Sequence, residues 1–129
     1  MGVGVSARFF YDSYAVLAFT SGHPGYRKYF EEQDGVVTKL NLLEIFYRSL
    51  EEHGPKAASN ITQTFSKYLI DFGLAEISES MKLRFELKRE GRNISYADAL
   101  GSSLARKMGL KFLTGDEAFR GLNGVEYLE

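Results

Sequence analysis

The sequence has 129 residues, a net charge of −1 and 26% charged residues, which is the composition of an ordinary soluble globular protein. It contains no cysteine and only two histidines, so disulfides, thiolate zinc sites and cysteine nucleophiles are excluded. A metal ion would therefore have to bind oxygen ligands, as Mg²⁺ and Mn²⁺ do. No apolar run approaches the roughly 20 residues that span a membrane, and the first residues lack the features of a signal peptide. We therefore expect a cytoplasmic protein.

The chain shows no internal repeat, low-complexity segment or linker, and its length fits one domain over residues 1–129. Residues 1–6 are expected to be disordered or to be a remnant of cloning.

The first half of the chain predicts two strands and two helices. Residues 7–12 form an apolar run that ends at an acid and predict a buried strand, and residues 35–38 predict a second one. Residues 22–25 predict a break in the chain, and a short helix is expected to begin there. Apolar residues at helical spacing then predict a longer helix that ends at residues 54–55. They form one stripe that is expected to pack into the core, namely Leu42, Leu43, Phe46 and Leu50.

The second half predicts three helices and three more strands. The first helix carries Ile61, Phe65 and Leu69 on one stripe and ends at Gly73. The second covers residues 80–90, and the third runs from Ser95 to Gly109. The remaining short apolar runs are predicted as strands, namely residues 74–77, 111–114 and 125–128.

Strands that alternate with helices predict an α/β fold in three layers, with a central parallel sheet of four to five strands covered by helices on both faces. In such sheets, ligands bind beyond the carboxyl ends of the strands. Four acids lie at these ends or in the first turns of the helices that follow, namely Asp12, Glu44, Asp98 and Asp116. We therefore expect their carboxylates to converge on one pocket.

Each acid also has a structural explanation. Asp12 could be a turn or cap aspartate, and Asp116 could be an N-cap. Glu44 and Asp98 could each complete a capping box, with Asn41 and Ser95 respectively. Their joint placement favours a site, because two carboxylates about 5 Å apart repel by roughly 3 kcal/mol at an effective dielectric constant near 20. A divalent cation would relieve this repulsion.

The four acidic segments resemble those of the PIN-domain family, and the chain is similar in length and layout to its VapC-type toxins. The matching stretches follow one another along the chain, namely Phe10-Tyr11-Asp12-Ser13, Leu43-Glu44-Ile45, Ser95-Tyr96-Ala97-Asp98 and Thr114-Gly115-Asp116-Glu117-Ala118-Phe119.

This resemblance implies a Mg²⁺- or Mn²⁺-dependent endoribonuclease of single-stranded or structured RNA, the toxin of a type II toxin–antitoxin pair. It also implies an antitoxin partner and a homodimer, for which Ile61, Phe65 and Leu69, or Met81 and Phe85, are the candidate contacts. The four acids would form the catalytic and metal-binding cluster. Three further residues would support it, namely Ser13, Thr114 and Glu117.

Other functions remain open beside this one. An RNA-processing nuclease outside a toxin–antitoxin pair and a non-catalytic binding module could share the fold. A receiver domain usually needs adjacent acids after the first strand, whereas Asp12 stands alone, and a haloacid-dehalogenase-like phosphatase needs an aspartate where Tyr14 stands. Tyr14 and Tyr96 are each next to a proposed ligand and are candidates for lining the site, whereas His23 is interpreted as a turn residue.

Overall fold

A parallel sheet forms the centre of the molecule, whose computed structural model describes residues 7–129. The expectation for residues 1–6 lies outside the described residues. The sheet has the strand order β2-β1-β3-β4, which confirms the predicted parallel sheet with four strands. The strands are β1 (Phe9–Tyr11), β2 (Gly35–Val36), β3 (Lys111–Thr114) and β4 (Val125–Tyr127).

Helices cover both faces of the sheet. Neighbouring residues of a strand point to opposite faces, so each strand contributes side chains to both sides. Phe9 and Tyr11 pack in one core cluster with side chains of the first four helices, whereas Phe10 packs in a second cluster with side chains of the last two. The helices are α1 (Ser13–Thr20), α2 (Arg27–Glu31), α3 (Lys39–His53), α4 (Pro55–Phe65), α5 (Leu74–Arg89) and α6 (Tyr96–Met108). The predicted three-layer α/β/α fold is confirmed. Within residues 7–129, no helix is both long and apolar enough to cross a membrane.

The strand predicted at residues 74–77 is wrong, because these residues form the first turn of α5. The backbone N–H of Gly73 donates a hydrogen bond of 2.6 Å to the Glu76 carboxylate, which caps this helix start. Leu74 is 85% exposed, so the short apolar run is not buried as a strand would be. Such a run does not distinguish a strand from a helix by periodicity alone.

The predicted helical stripe through Leu69 is also wrong at its end. Helix α4 ends at Phe65, a 3₁₀ turn covers Ser66–Tyr68, and Leu69 is extended. Leu69 forms a parallel bridge with Val37, directly after β2. The chain therefore places its additional extended segment here and not at residues 74–77.

Helix α3 buries a different face from the predicted one. Leu43 is 68% exposed, and Phe46 and Leu50 are also exposed. The buried residues of this helix are Asn41, Ile45 and Ser49. Helical spacing identified the helix correctly, and Leu42 packs against the core, but the assignment of Leu43, Phe46 and Leu50 to the core is wrong.

The order of the strands places a crevice at the carboxyl ends of β1 and β3. From β1 the chain moves to β2 on one side, and it later returns to β3 on the other side of β1. Adjacent strands whose connections leave in opposite directions open a crevice between the loops that follow them. Asp12 follows β1 and Asp116 follows β3, so both acids lie at this point of the sheet.

Candidate functional site

Asp12 is the residue that follows β1, and it is the N-cap of α1. Its Oδ1 accepts a hydrogen bond of 2.7 Å from the backbone N–H of Ala15, so this aspartate is a helix cap, as one of the two sequence interpretations held. Its side chain is also buried, with 1% exposure. Capping gives no reason to bury a carboxylate, because removal from water disfavours the charged form.

Glu44 lies on α3 and is held by a short chain of hydrogen bonds. The Ser13 hydroxyl donates to Glu44 Oε1 at 2.8 Å, and Asn41 Nδ2 donates to Ser13 Oγ at 3.2 Å. The capping interpretation of Glu44 is wrong, because α3 begins one turn earlier. Thr38 is its N-cap, and the Thr38 backbone N–H donates to Asn41 Oδ1 at 2.9 Å.

Asp98 lies in the first turn of α6, three residues after the N-cap Ser95. The backbone N–H of Asp98 donates to Ser95 Oγ at 3.0 Å, so the expected capping interaction is present. The Asp98 carboxyl also interacts with the Ser95 hydroxyl and with the carboxyl of Asp116. This acid therefore takes part in the helix cap and in the acidic group at the same time.

Asp116 is positioned by the end of β3. Its backbone N–H donates to Oγ1 of the buried Thr114 at 3.0 Å, and its Oδ1 accepts from the backbone N–H of Ala118 at 3.0 Å. It is thus the N-cap of a 3₁₀ helix, Glu117–Phe119. Glu117 itself is exposed and is not one of the residues that line the cavity described next.

One cavity of about 850 Å³ brings the four acids together. Asp12, Glu44, Asp98 and Asp116 all line it, as does Ser13. Asp12 and Asp116 follow strands β1 and β3, Ser13 and Asp98 lie in the first turns of α1 and α6, and Glu44 lies in the second turn of α3. The fold gathers them at one edge of the sheet. A cavity of this size is within the range that holds a small ligand or part of a larger one.

The pKa values show that the acidic charges act on one another. Burial is the main cause that raises the pKa of Asp12 well above its usual value, and the negative charges of Asp98 and Asp116 raise it further. A hydrogen bond with the Thr114 hydroxyl acts in the opposite direction. Burial also raises the pKa of Asp98 to about 7, and the charges of Glu44 and Asp116 add to this shift. The cavity is therefore electrostatically unfavourable for its own carboxylates.

The side chains fit a hard cation in chemistry and charge. Among residues 7–129, no three histidine or acidic side chains already stand close enough together to hold a metal ion. The donors that share the cavity are nevertheless carboxylates, the ligands preferred by Mg²⁺ and Mn²⁺. The raised pKa values of Asp12 and Asp98 also mark the negative charge that a divalent ion would offset.

The cavity includes residues that the sequence analysis missed. Arg48 and Glu52 both line it, and they lie one and two turns after Glu44 on α3. Their spacing of four and eight residues from Glu44 was the signal that could have identified them. Of the two tyrosines proposed to line the site, Tyr14 does so, whereas the Tyr96 ring packs 4.5 Å from the guanidinium of Arg84 and is not part of the lining.

His23 is a turn residue, as predicted. Its Nδ1 accepts a hydrogen bond of 3.0 Å from the backbone N–H of Gly25, and it is the N-cap of the 3₁₀ helix Pro24–Tyr26. Nε2 lies 3.2 Å from the backbone oxygen of Glu129. With Nδ1 as an acceptor, Nε2 carries the proton and donates it to this oxygen, so both ring nitrogens have partners.

The site combines an aspartate that follows a strand, a parallel sheet of this strand order and an acidic cavity. Comparison with known protein families identifies the class of protein to which this combination belongs. The family model for the PIN domain matches residues 9–125, and the chain belongs to the PIN-domain family. The resemblance seen in the sequence is thereby confirmed. PIN domains are generally nucleases.

Solved structures share this fold over nearly the whole chain. A toxin–antitoxin complex from Klebsiella pneumoniae has a TM-score of 0.73 at 18% identity, covering 93% of this chain and 96% of that one. VapBC2 from Rickettsia felis, bound to a DNA fragment from its promoter, has a TM-score of 0.71 at 19% identity, with coverage of 93% and 96%. DNA-bound VapBC from Salmonella typhimurium has a TM-score of 0.70 at 17% identity, with coverage of 95% and 97%. These structures therefore share the fold of this chain. Comparison with curated proteins gives no significant match.

Proposed function

We propose that this protein is a metal-dependent endoribonuclease and the toxin of a type II toxin–antitoxin pair. The observation that carries the proposal is the cavity at the carboxyl edge of the sheet, which four carboxylates of a PIN domain line together. An RNA-processing nuclease without an antitoxin, and a binding module without catalysis, are the other outcomes that the experiments below distinguish.

The acidic side chains would hold the metal ion, namely Asp12, Glu44, Asp98 and Asp116. Bound Mg²⁺ or Mn²⁺ would supply an activated water and neutralise charge on the phosphate undergoing hydrolysis. Ser13 would support the site by holding the Glu44 carboxylate, to which its hydroxyl donates. Thr114 would support it by orienting the segment that carries Asp116. Glu117 is exposed beside this segment, and we assign it no contact with the metal.

Arg48 is the residue that we propose to contact a substrate phosphate. It is exposed, it lines the cavity beside the acids, and its guanidinium forms no ion pair with another described residue. An unpaired guanidinium can bind a phosphate through two parallel hydrogen bonds. Because the whole chain has a net charge of −1, local contacts of this kind would have to provide the attraction to RNA.

The decisive experiment compares Asp12→Asn with the parent protein. Asparagine is also a good N-cap, so α1 keeps its cap while the cavity loses one repelling charge. Without metal, the variant should be as stable as the parent or slightly more stable. With Mn²⁺, it should gain less stability and lose most of its cleavage of single-stranded RNA. Paired melting curves and cleavage time courses measure this, and full activity of Asp12→Asn would refute the mechanism.

Metal binding can be tested without any substrate. If Mg²⁺ or Mn²⁺ binds the four carboxylates, it should raise the melting temperature, and EDTA should reverse the rise. An ion at 100 times its dissociation constant adds roughly 2.7 kcal/mol to the free energy of unfolding. No shift at millimolar Mg²⁺ or Mn²⁺ would contradict the proposed metal site.

The partners that we propose are an antitoxin and a second copy of this chain. Solved structures of the same fold are toxin–antitoxin and VapBC complexes, which supports an antitoxin partner. The contacts suggested at Phe65 and Leu69 are less suitable for a homodimer, since Phe65 is buried and Leu69 packs against the core. A toxin of this kind would act on RNA in the cytoplasm.

For the homodimer we propose the exposed apolar row of α3, where Leu43 and Tyr47 are 68% and 58% exposed. Light scattering at tens of micromolar should give the mass of a dimer for the parent. Leu43→Lys should give a folded monomer whose melting temperature no longer depends on protein concentration, whereas that of the parent should rise with concentration. A parent protein that is monomeric under these conditions would reject the dimer but not the nuclease.

A further inference from the structure

The cavity has a second, largely apolar part that the proposed chemistry does not use. It is lined by residues from α1 and from the turn that follows this helix, namely Tyr14, Leu17, Ala18, Ser21, Gly22, His23 and Pro24. A metal site needs oxygen ligands and has no use for such a surface. The lining therefore combines an acidic part that would hold a metal ion with an apolar part that can contact another portion of a bound molecule.

The Tyr14 ring is fixed on one side and open on the other. A Cβ atom at position 115 would overlap this ring, so Gly115 allows Tyr14 to lie directly against the backbone between Thr114 and Asp116. The ring centroid of Tyr14 is 6.1 Å from that of Tyr26, which is fully buried. Tyr14 is nevertheless 41% exposed and lines the cavity. It is a rigid aromatic surface next to the acidic group.

His23 adds a second fixed ring to this wall. Both of its nitrogens are used by the backbone groups of Gly25 and Glu129, and its ring packs edge-on against Tyr26 at 5.1 Å. It is therefore poorly suited to proton transfer. Its ring can instead contribute apolar surface beside Tyr14.

We propose that this wall, formed by the Tyr14 ring with Leu17, His23 and Pro24, is a nucleobase subsite in which an unpaired base stacks on Tyr14. This inference rests on the proposed function, since the base would belong to a nucleotide adjoining the phosphate held at the carboxylates. A base inside a duplex has both faces covered by its neighbours, whereas an unpaired base can place one face on a tyrosine. The subsite thus selects single-stranded or bulged RNA.

The first experiment uses variants of two tyrosines. Cleavage of single-stranded RNA in Mn²⁺ should show a KM for Tyr14→Ala about 5- to 150-fold above that of the parent, the range expected for loss of one stacked base. Tyr14→Phe keeps the ring and should retain the parental KM. Tyr96→Ala is the matched control, because Tyr96 also neighbours a proposed ligand but does not line the cavity. A parental KM for Tyr14→Ala would overturn the subsite while leaving the nuclease intact.

The second experiment uses the unmodified protein and does not depend on cleavage or on the folding of a variant. Each of AMP, CMP, GMP and UMP is titrated in Mg²⁺, and the ring resonances of Tyr14 are followed by NMR after assignment with Tyr14→Phe. A stacked base should shift these resonances upfield, whereas ribose 5-phosphate, which has no base, should not. Equal shifts with ribose 5-phosphate, or none with any nucleotide, would overturn the proposal. Upfield shifts in a protein that cleaves no RNA would support the subsite and count against the nuclease.

Discussion

Helices α3 and α6 each bring one acid to the cavity, yet they distribute their apolar side chains in opposite ways. Helix α6 buries Leu100 and Leu104 and exposes basic residues in its last turn. Helix α3 exposes Leu43 and Tyr47, and its buried face includes polar residues, namely Asn41 and Ser49.

The packing partners of the two helices explain this difference. Helix α6 lies against the sheet so closely that a Cβ atom at Gly101 would overlap the Phe10 ring, and it needs an apolar face there. Helix α3 is turned toward α1, where Asn41 and Glu44 both bind Ser13. A helix that supports a polar site buries polar side chains beside apolar ones such as Ile45, and several of its apolar side chains remain exposed. Hydrophobic periodicity identifies such a helix without identifying its buried face.

The largest expected effect is on stability. Leu104→Ala removes a buried side chain from the core around α6 and should lower the free energy of unfolding by about 2–5 kcal/mol. Leu43→Ala removes a side chain of the same kind from the exposed row of α3 and should change it by less than about 0.5 kcal/mol in the monomer. Urea unfolding measures both, and equal losses would show that α3 buries Leu43 in solution.

A smaller loss is expected for the buried polar face of α3. Asn41→Ala should lower the free energy of unfolding by about 1–3 kcal/mol, because the backbone N–H of Thr38 loses its acceptor and Ser13 loses a donor. The control is Asn60→Ala at an exposed position of α4, where a change within about 0.5 kcal/mol is expected. Unfolding of the two variants side by side would test whether the polar face of α3 is structural.

The acid on α6 makes stability depend on pH in the absence of metal. The folded-state pKa of Asp98 is raised to about 7 from an ordinary value of 3.8. Its contribution to stability is fully present below the ordinary value and is lost as pH rises through 7, by up to about 1.4 kcal/mol per pH unit. In EDTA, the parent should be less stable at pH 8 than at pH 5. Asp98→Asn should reduce this difference, whereas Asp71→Asn, at an exposed position, should not.

The smallest effect is expected at two serines. Ser49 of α3 is fully buried, and its hydroxyl has no hydrogen-bond partner among residues 7–129, so Ser49→Ala should be neutral or slightly stabilising. Ser102 of α6 donates to the Ala99 carbonyl at 3.2 Å, and Ser102→Ala should cost up to about 1 kcal/mol. A clear loss of stability in Ser49→Ala would indicate a hydrogen bond at this hydroxyl in solution.

Much of the candidate site was predictable because its residues are fixed by local rules. Asp12 directly follows β1, and Asp116 follows β3 by two residues. The carboxyl ends of the strands in a parallel sheet lie at the same edge. Asp98 follows its N-cap at a spacing that the sequence already displays. For these acids, the position in the sequence therefore predicts the position at the candidate site.

Other features depended on distant parts of the chain. The run at residues 74–77 has the same local pattern as a buried strand, but the position beside β2 is taken by Leu69. Tyr14 and Tyr96 both neighbour a proposed ligand, and only Tyr14 lines the cavity, because Gly115 gives its ring a place. Adjacency in sequence could not separate these two tyrosines.

The sequence by itself determined the parallel α/β fold, most of the helices and the acids that end its strands, because periodicity and capping act over a few residues. Only the tertiary structure decided which face of α3 is buried, that Arg48 joins the acidic cavity and that an apolar wall adjoins it. These features depend on which surfaces meet when the helices pack on the sheet. Contacts between residues far apart in the chain decide that packing, and a local pattern does not contain them.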